Sequence, residues 1–213
     1  MPPFFSHKSR IVYSKIESIN EISEIQHPSV RGCLEYLNIT EGVEIHHDGD
    51  LPARSGLGSS SSFTVGLLHA LYALKQQMVS PRQLAEEAID VEQNWLNESV
   101  GIQDQIMAAH GGFQIIEMGP DANWNTKNML LPKEYLSSLE EHVLLGFSGI
   151  SRLSEQHAKN KVDNIKLGKT NIELQTIYAL TQEALQAFQN QAGFDEIGRF
   201  LDQSWQCKRR LAE

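Results

Sequence analysis

The segment 52–62 (PARSGLGSSSS) carries the residue types best suited to binding an anion. Gly56 and Gly58, one residue apart, let the backbone turn sharply and approach a ligand with no Cβ in the way. The serines that follow are predicted to open a helix, whose first amides have no partner and lie at the positive end of the helix dipole. The segment therefore predicts a phosphate site, with hydroxyls that suit magnesium, a hard cation that takes oxygen ligands.

Three known motifs that use glycine and serine do not fit this chain. A dinucleotide fingerprint would need glycine at position 61, where the chain has Ser61, and a hydrolase nucleophile elbow of the form GxSxG is absent. The stretch 168–170 (GKT) resembles the end of a Walker A loop, but the glycine required five residues earlier is Asp163. A loop that merely caps a helix is the remaining alternative, and the complete string between a strand and a helix favours phosphate binding.

Two acidic residues downstream, Glu92 and Asp104, are of the kind that phosphoryl transfer uses. That reaction needs an aligned hydroxyl, charge stabilisation on the transferred group and a carboxylate near the nucleophile. From spacing alone, Glu92 would be a solvent-facing helix residue and Asp104 a charge that the dipole favours at a helix start. The run 46–50 (HHDGD) could suggest a metal site, but adjacent side chains of a strand point to opposite faces, which favours a strand end and turn.

Hydrophobic periodicity predicts the elements that must position these residues. Ser80 is a predicted N-cap, with Pro81 at the first helical position and Gln83 completing a capping box. Strands dominate early and helices late, which predicts an α+β fold. Strands are predicted at 10–16, 41–46, 113–118 and, as a buried strand, 142–147; helices are predicted at 29–37, 60–76, from 81 onward, within 101–109, at 171–189 and at 195–210.

Composition narrows the function further. The 213 residues are 40% hydrophobic and 21% charged, enough for one substantial core or two small ones. A net charge of -9 argues against a general nucleic-acid binder. No apolar run approaches the ~20 residues that cross a bilayer, and the N-terminus has no signal-peptide h-region. Cys33 and Cys207 have no metal-binding spacing, so a reducing cytoplasm is expected.

The segment PARSGLGSSSS resembles the second motif of the GHMP kinases, the family of galactokinase, homoserine kinase and mevalonate kinase. The stretches 91–96 (VEQNWL), 100–105 (VGIQDQ), 111–113 (GGF) and 147–152 (FSGISR) resemble the heptose 7-phosphate kinase branch in order and spacing. The resemblance implies a two-part α+β kinase fold. Its ATP-binding domain, like domain 2 of ribosomal protein S5, would occupy 1–145, and the start of a helical, ferredoxin-like domain would occupy 146–213.

The resemblance also implies a role for each matching residue. Asp104 would be the catalytic residue beside the sugar hydroxyl, Ser60 and Glu92 would bind Mg²⁺, and Gly149 and Arg152 would contact the substrate. The substrate implied is a heptose 7-phosphate, phosphorylated by ATP at its anomeric hydroxyl. The residues implied in ATP binding are Pro52, Arg54, Ser55, Gly56, Leu57, Gly58, Ser59, Ser60 and Ser61.

Two further motifs of the family are not found in the sequence, namely a glycine-rich turn of the GGGTD type before the segment and a glycine-rich loop near the C-terminus. A kinase truncated at both ends is therefore expected, with weak or absent catalysis in this chain alone. Its open sheet edge invites pairing with another chain, as a homodimer or in aggregation. The alternative is a weak or inactive remnant that binds nucleotide or phosphosugar without turnover. A plain structural domain would leave Glu92, Asp104 and the glycines at 111–112 unexplained together.

Overall fold

The computed structural model describes residues 7–49, 56–119, 123–146, 165, 167–168 and 170–211. Within these residues the chain divides into two compact units, the first ending at Lys127 and the second beginning at Asn128. The two parts expected from the family resemblance, 1–145 and 146–213, are assigned on motifs rather than on packing. They stay a prediction.

A three-stranded mixed sheet forms one layer of the first unit. Its strands are β1 (Ser9–Val12), β2 (Ile16–Ile19) and β3 (Glu44–His46). They are arranged in the order β2-β1-β3. Ile11 lies opposite Glu17 in the antiparallel pair β1–β2 and opposite Ile45 in the parallel pair β1–β3. The side chain of Ile11 is fully buried beneath the helices.

The single strand predicted at 10–16 is wrong, because the chain reverses within it. A tight turn follows Val12 and is closed by a hydrogen bond of 2.8 Å from the Tyr13 N–H to the Lys15 carbonyl. Alternation with a period of two continues through a hairpin, so the pattern did not reveal the turn.

Helices cover the sheet and carry the residues of interest. The predicted helices are confirmed to within a few residues, and residues 91–95 form a turn of π-helix in addition. The elements are a 3₁₀ turn (Ile22–Glu24), α1 (Pro28–Tyr36), α2 (Ser59–Leu74), α3 (Pro81–Asp90), the π-helical turn (Val91–Trp95), α4 (Gln103–His110) and a hairpin of β4 (Gln114–Met118) and β5 (Trp124–Asn128).

The start of α3 is capped as predicted, but its capping box is incomplete. The Ser80 hydroxyl accepts a hydrogen bond from the Gln83 amide at 3.1 Å. The Gln83 side chain does not return to the cap; its Nε2 donates to Glu87 at 2.9 Å and to the Tyr72 hydroxyl at 3.3 Å. The hydrogen bond to Tyr72 joins α3 to α2, because Tyr72 belongs to α2.

Two apolar clusters hold the first unit together. The larger one fills the space between the sheet and helices α1 and α2, with Ile11, Leu34 and Leu68 at its centre. The smaller one joins α3, α4 and β5 through Ala85, Ile106 and Trp124. Ile106 lies two residues after Asp104, so this cluster anchors the turn of α4 that presents Asp104.

The second unit contains three helices among its described residues. Helices α6 and α7 pack on each other, with Leu180, Ala187, Ile197 and Cys207 buried. In the described part of the chain, no helix combines the length and apolar character that spanning a membrane requires. The helices are α5 (Lys133–His142), α6 (Asn171–Gln189) and α7 (Phe194–Arg210).

The buried strand predicted at 142–147 is wrong over its described residues. His142 ends α5, and Val143, Leu144 and Leu145 belong to no strand and are 65%, 95% and 66% exposed. A buried strand and an exposed connection can both contain a short apolar run, so periodicity could not distinguish between them. Phe147 lies outside the described residues.

Candidate active site

The glycine–serine segment enters α2 through two residues in the left-handed region. The φ angles are 82° at Gly56 and 70° at Gly58, values that residues with a Cβ rarely adopt. Gly58 is the N-cap of α2, and no side chain caps the helix there. The first helical hydrogen bond runs from the Ser62 N–H to the Gly58 carbonyl at 2.9 Å.

The N–H groups of residues 57–61 precede this bond and are called the open amides. Among the described residues, no carbonyl or side chain accepts a hydrogen bond from them. Ser60 is exposed and Leu57 is also exposed, so solvent reaches this end of α2. Unpaired amides at the positive end of a sixteen-residue helix form the kind of anion site that the sequence predicts.

Asp104 lies directly against Gly58. It is the second residue of α4, and its side chain is exposed. A Cβ placed on Gly58 would fall 2.9 Å from both Cγ and Oδ2 of Asp104, closer than real side chains approach. The absent Cβ therefore lets the carboxylate lie beside the open amides of α2, where a carboxylate can contact a hydroxyl presented to a bound phosphate.

Glu92 lies behind the segment with its carboxylate fully buried. Its Oε2 accepts hydrogen bonds from the Ser61 hydroxyl at 2.8 Å and from the Gln105 side-chain amide, and its Oε1 accepts one from the Thr64 hydroxyl at 3.0 Å. The solvent-facing alternative for Glu92 is excluded. The carboxylate links three elements, namely the π-helical turn, α2 and α4.

The oxygen donors around Glu92 are of the type that magnesium prefers. No cationic side chain of the described residues pairs with this buried carboxylate, and the neighbouring Gln105 Oε1 is a buried acceptor with no hydrogen-bond partner. A buried charge and an orphaned buried acceptor would both gain from a nearby cation. The donor set therefore fits Mg²⁺.

The specific pairing of Ser60 with Glu92 around the cation stays a prediction. On α2 the hydrogen-bond partners of Glu92 are Ser61 and Thr64, whereas the Ser60 hydroxyl is exposed with no partner in the described part of the chain. The described residues contain no cluster of three or more His, Cys, Asp or Glu that could hold a metal. In the 46–50 run, His46 ends β3 and its Nε2 lies 2.9 Å from Glu44 Oε1.

The structure brings together some of the implied site residues and leaves others undescribed. Gly56, Leu57, Gly58 and Ser59 line the open end of α2 with Ser60, while Ser61 turns its hydroxyl inward and can offer only its amide. Thr64 and Gln105 were missed by sequence reasoning; Thr64 lies three residues after Ser61, a helical spacing that could have indicated a shared partner. Pro52, Arg54, Ser55, Gly149 and Arg152 lie outside the described residues.

A cluster of rings lies beside the second turn of α2. Phe63 stacks on His47 with ring centroids 4.0 Å apart, and His27 contacts Phe63 at 5.1 Å and Tyr13 at 4.9 Å. Burial and the nearby His47 lower the pKa of His27, so its imidazole is neutral at pH 7. His47 and Phe63 also line a cavity of about 610 Å³ between β3 and α2.

Comparison with known proteins identifies the domain that holds this site. Residues 28–112 match the GHMP kinases N terminal domain, a range that includes Gly58, Glu92 and Asp104. Over these residues the chain is similar to the N-terminal domain of the GHMP kinases. The resemblance inferred from the glycine–serine segment is thereby confirmed.

Relatives of known structure or function agree with this family. A D-glycero-alpha-D-manno-heptose 7-phosphate kinase of Campylobacter jejuni subsp. jejuni is 30% identical over an alignment of 179 residues, and the match covers 79% of this chain and 50% of the relative. A D-glycero-D-manno-heptose 1-phosphate kinase from Bacteriodes thetaiotaomicron superposes with a TM-score of 0.71 at 19% identity, over 96% of this chain and 64% of that one. The Methanococcus jannaschii mevalonate kinase gives 0.62 at 15% identity, over 97% and 66%.

These comparisons confirm the predicted fold class, because the solved structures that superpose on the chain are GHMP kinases. The chain spans half the length of the curated relative that it matches and about two thirds of the solved chains.

Proposed function

We propose that this chain works in an ATP-dependent GHMP-type kinase that transfers the γ-phosphate of ATP to a hydroxyl of a sugar phosphate. The observation that carries the proposal is the position of Asp104 against Gly58, beside the open amides of α2. Phosphoryl transfer asks the protein mainly for positioning and charge stabilisation. The open amides of α2 would stabilise the charge of the phosphate, and the Asp104 carboxylate against Gly58 would position the attacking hydroxyl.

The residues divide the work between binding and proton transfer. The amides of 57–60 hold phosphate oxygens at the positive end of α2. Asp104 accepts the proton of the attacking hydroxyl or orients that hydroxyl, and needs no unusual environment to do so because an ordinary aspartate is ionised at neutral pH. Mg²⁺, when bound through Ser60 and Glu92, would offset the negative charge of the phosphates.

The substrate that we propose is a heptose 7-phosphate, phosphorylated at its anomeric hydroxyl. The support is the 30% identity to a heptose 7-phosphate kinase in a match that covers 79% of this chain. Substrate contacts by Gly149 and Arg152 remain a prediction. A cytoplasmic location, a homodimer, and no nucleic-acid or membrane partner complete the proposal and rest on sequence composition and pattern.

Nucleotide binding is the first thing to measure. The melting temperature should rise with millimolar MgATP, because a ligand that binds the native state stabilises it by RT ln(1 + [L]/Kd). Asp104→Asn, which keeps the shape of the side chain, should retain this shift. The absence of a shift in the wild-type chain would contradict the hypothesis of an active kinase. It would also contradict the alternative of a remnant that binds nucleotide without turnover.

Turnover is measured next, as ADP release with heptose 7-phosphate. Asp104→Asn should lower the rate by about 10²–10⁴-fold, the usual contribution of a positioned acid or base. Asp202→Asn, at an exposed position of α7, is the matched control and should leave the rate unchanged. MgATP binding with no turnover in the wild type would favour the remnant, and full turnover in Asp104→Asn would remove Asp104 from the mechanism.

A further inference from the structure

We propose that Gln105 is a positioning residue of the candidate site, acting through the Glu92 carboxylate on the binding of a divalent cation with nucleotide. The inference rests on the proposed function. Its basis is a buried hydrogen-bond cluster in which Gln105 is the member that comes from α4.

The side chain of Gln105 is fully buried, and only one end of its amide is paired. Nε2 donates to Glu92 Oε2, whereas Oε1 is buried and has no hydrogen-bond partner among the described residues. An orphaned buried acceptor is unfavourable, and a methionine of similar volume at this position would avoid it. Packing alone therefore does not explain why position 105 holds an amide. The contact that a methionine could not make is the hydrogen bond donated to Glu92.

That hydrogen bond holds Glu92 from a second helix, α4, in addition to the bonds from α2. Ser61 and Thr64 hold the carboxylate from α2, and Gln105 holds it from α4. With donors from two helices, the carboxylate cannot rotate without breaking at least one hydrogen bond. Residues that fix the orientation of a cation ligand in this way usually change cation affinity when they are replaced.

Gln105 also connects Glu92 to Asp104. Asp104 and Gln105 are consecutive residues in the first turn of α4. Because successive side chains of a helix point about 100° apart, Gln105 faces the interior and Asp104 faces the surface. The interior side chain bonds to Glu92, and the exposed one lies against Gly58. The position of α4 relative to the start of α2 thus depends on contacts made by both residues.

The test compares Gln105→Met with the matched control Gln103→Met, which replaces an exposed glutamine in the same turn of α4. The probe is Mn²⁺ in the presence of ATP, with bound Mn²⁺ measured by electron paramagnetic resonance, and ATP binding without metal is measured separately. Circular dichroism checks that each variant is folded. We expect Gln105→Met to weaken Mn²⁺ binding by about 10–100-fold while ATP binding without metal is unchanged. Gln103→Met should match the wild type.

The remaining outcomes separate this inference from the proposed function. Mn²⁺ binding by folded Gln105→Met within twofold of the wild type overturns this inference and leaves the proposed function standing. No Mn²⁺-dependent ATP binding by the wild-type chain overturns the proposed function, and the inference with it. If Gln105→Met does not fold, Thr64→Val removes a different donor to Glu92; several-fold weaker Mn²⁺ binding then supports the inference, and unchanged binding overturns it.

Discussion

The carboxylate of Asp104 occupies the space that a Cβ on Gly58 would need, since that Cβ would lie 2.9 Å from Oδ2. Gly58 therefore meets two requirements at once. It adopts the left-handed φ of 70° that begins α2, and it leaves room for an acidic side chain beside the open amides of the helix. The relationship makes Gly58 the residue at which the proposed phosphate site and the proposed catalytic carboxylate can be perturbed together.

Replacing Gly58 with alanine should therefore destabilise the protein and weaken MgATP binding. The left-handed conformation alone costs a non-glycine residue about 1–2 kcal/mol, and the contact with Asp104 adds to it. Gly66→Ala is the matched control, because a Cβ there meets nothing within 4 Å and the residue lies inside α2. The control should gain roughly 0.5–1 kcal/mol. Urea unfolding and a thermal shift with MgATP measure both variants, and equal effects of the two would contradict the described contact.

Ser61→Ala should lower the free energy of unfolding by about 1.5–3 kcal/mol, since it removes a hydrogen bond to a buried carboxylate. The Ser61 hydroxyl donates to Glu92 at 2.8 Å, and its side chain is buried. Ser62→Ala, one residue later and exposed, should change the stability by no more than about 0.5 kcal/mol. Chemical denaturation at pH 7 compares the two, and a Ser61→Ala effect as small as that of the control would mean that the Glu92 cluster is not formed.

Acid should destabilise the protein through His27. Burial first, and then His47, lower its pKa, against the opposing effect of Glu17, and the rings of Tyr13 and Phe63 face it. The folded state then binds fewer protons than the unfolded state below the ordinary histidine pKa of 6.5. Stability is therefore lost as the pH falls from about 6.5 through the lower folded-state pKa.

His27→Asn should reduce this loss. Asparagine can still cap α1, where His27 Nδ1 accepts a hydrogen bond from the Val30 amide at 3.4 Å, but it does not titrate. Unfolding free energies between pH 5 and pH 7.5 measure the slope, with the exposed His69→Asn of α2 as the control. A slope in His27→Asn as steep as that of the wild type would exclude His27 as its source.

Cys33 should resist thiol reagents until the protein unfolds. Its side chain is fully buried in α1, and burial, followed by the charge of Glu92, raises the pKa of the thiol to about 12. At pH 8 about one molecule in 10⁴ would carry the reactive thiolate. In Cys207→Ser, which leaves Cys33 as the remaining cysteine, labelling by a chromogenic disulfide should follow the rate of unfolding. Rapid stoichiometric labelling in native buffer would contradict the packing of α1.

Sequence patterns predicted correctly those features of the fold that depend on interactions between neighbouring residues. The bend at Gly56 and Gly58, the start of α2 and the Ser80 cap depend on backbone conformation and on neighbours within one turn of chain. The segment therefore predicted the family resemblance, which the match over residues 28–112 confirms. The anion site that it also predicted stays a prediction. The run 142–147 shows the limit of such patterns, because its apolar character does not reveal whether another element covers it.

The sequence by itself determined that a serine-lined bend leads into a helix and that two carboxylates follow it. The tertiary structure decided what those carboxylates touch: Asp104 meets Gly58 across 46 positions of sequence, and Glu92 is buried among Ser61, Thr64 and Gln105 rather than facing solvent. The physical reason is that burial and side-chain contact arise from how α2, α4 and the π-helical turn pack together. Spacing along a single element carries no information about that packing.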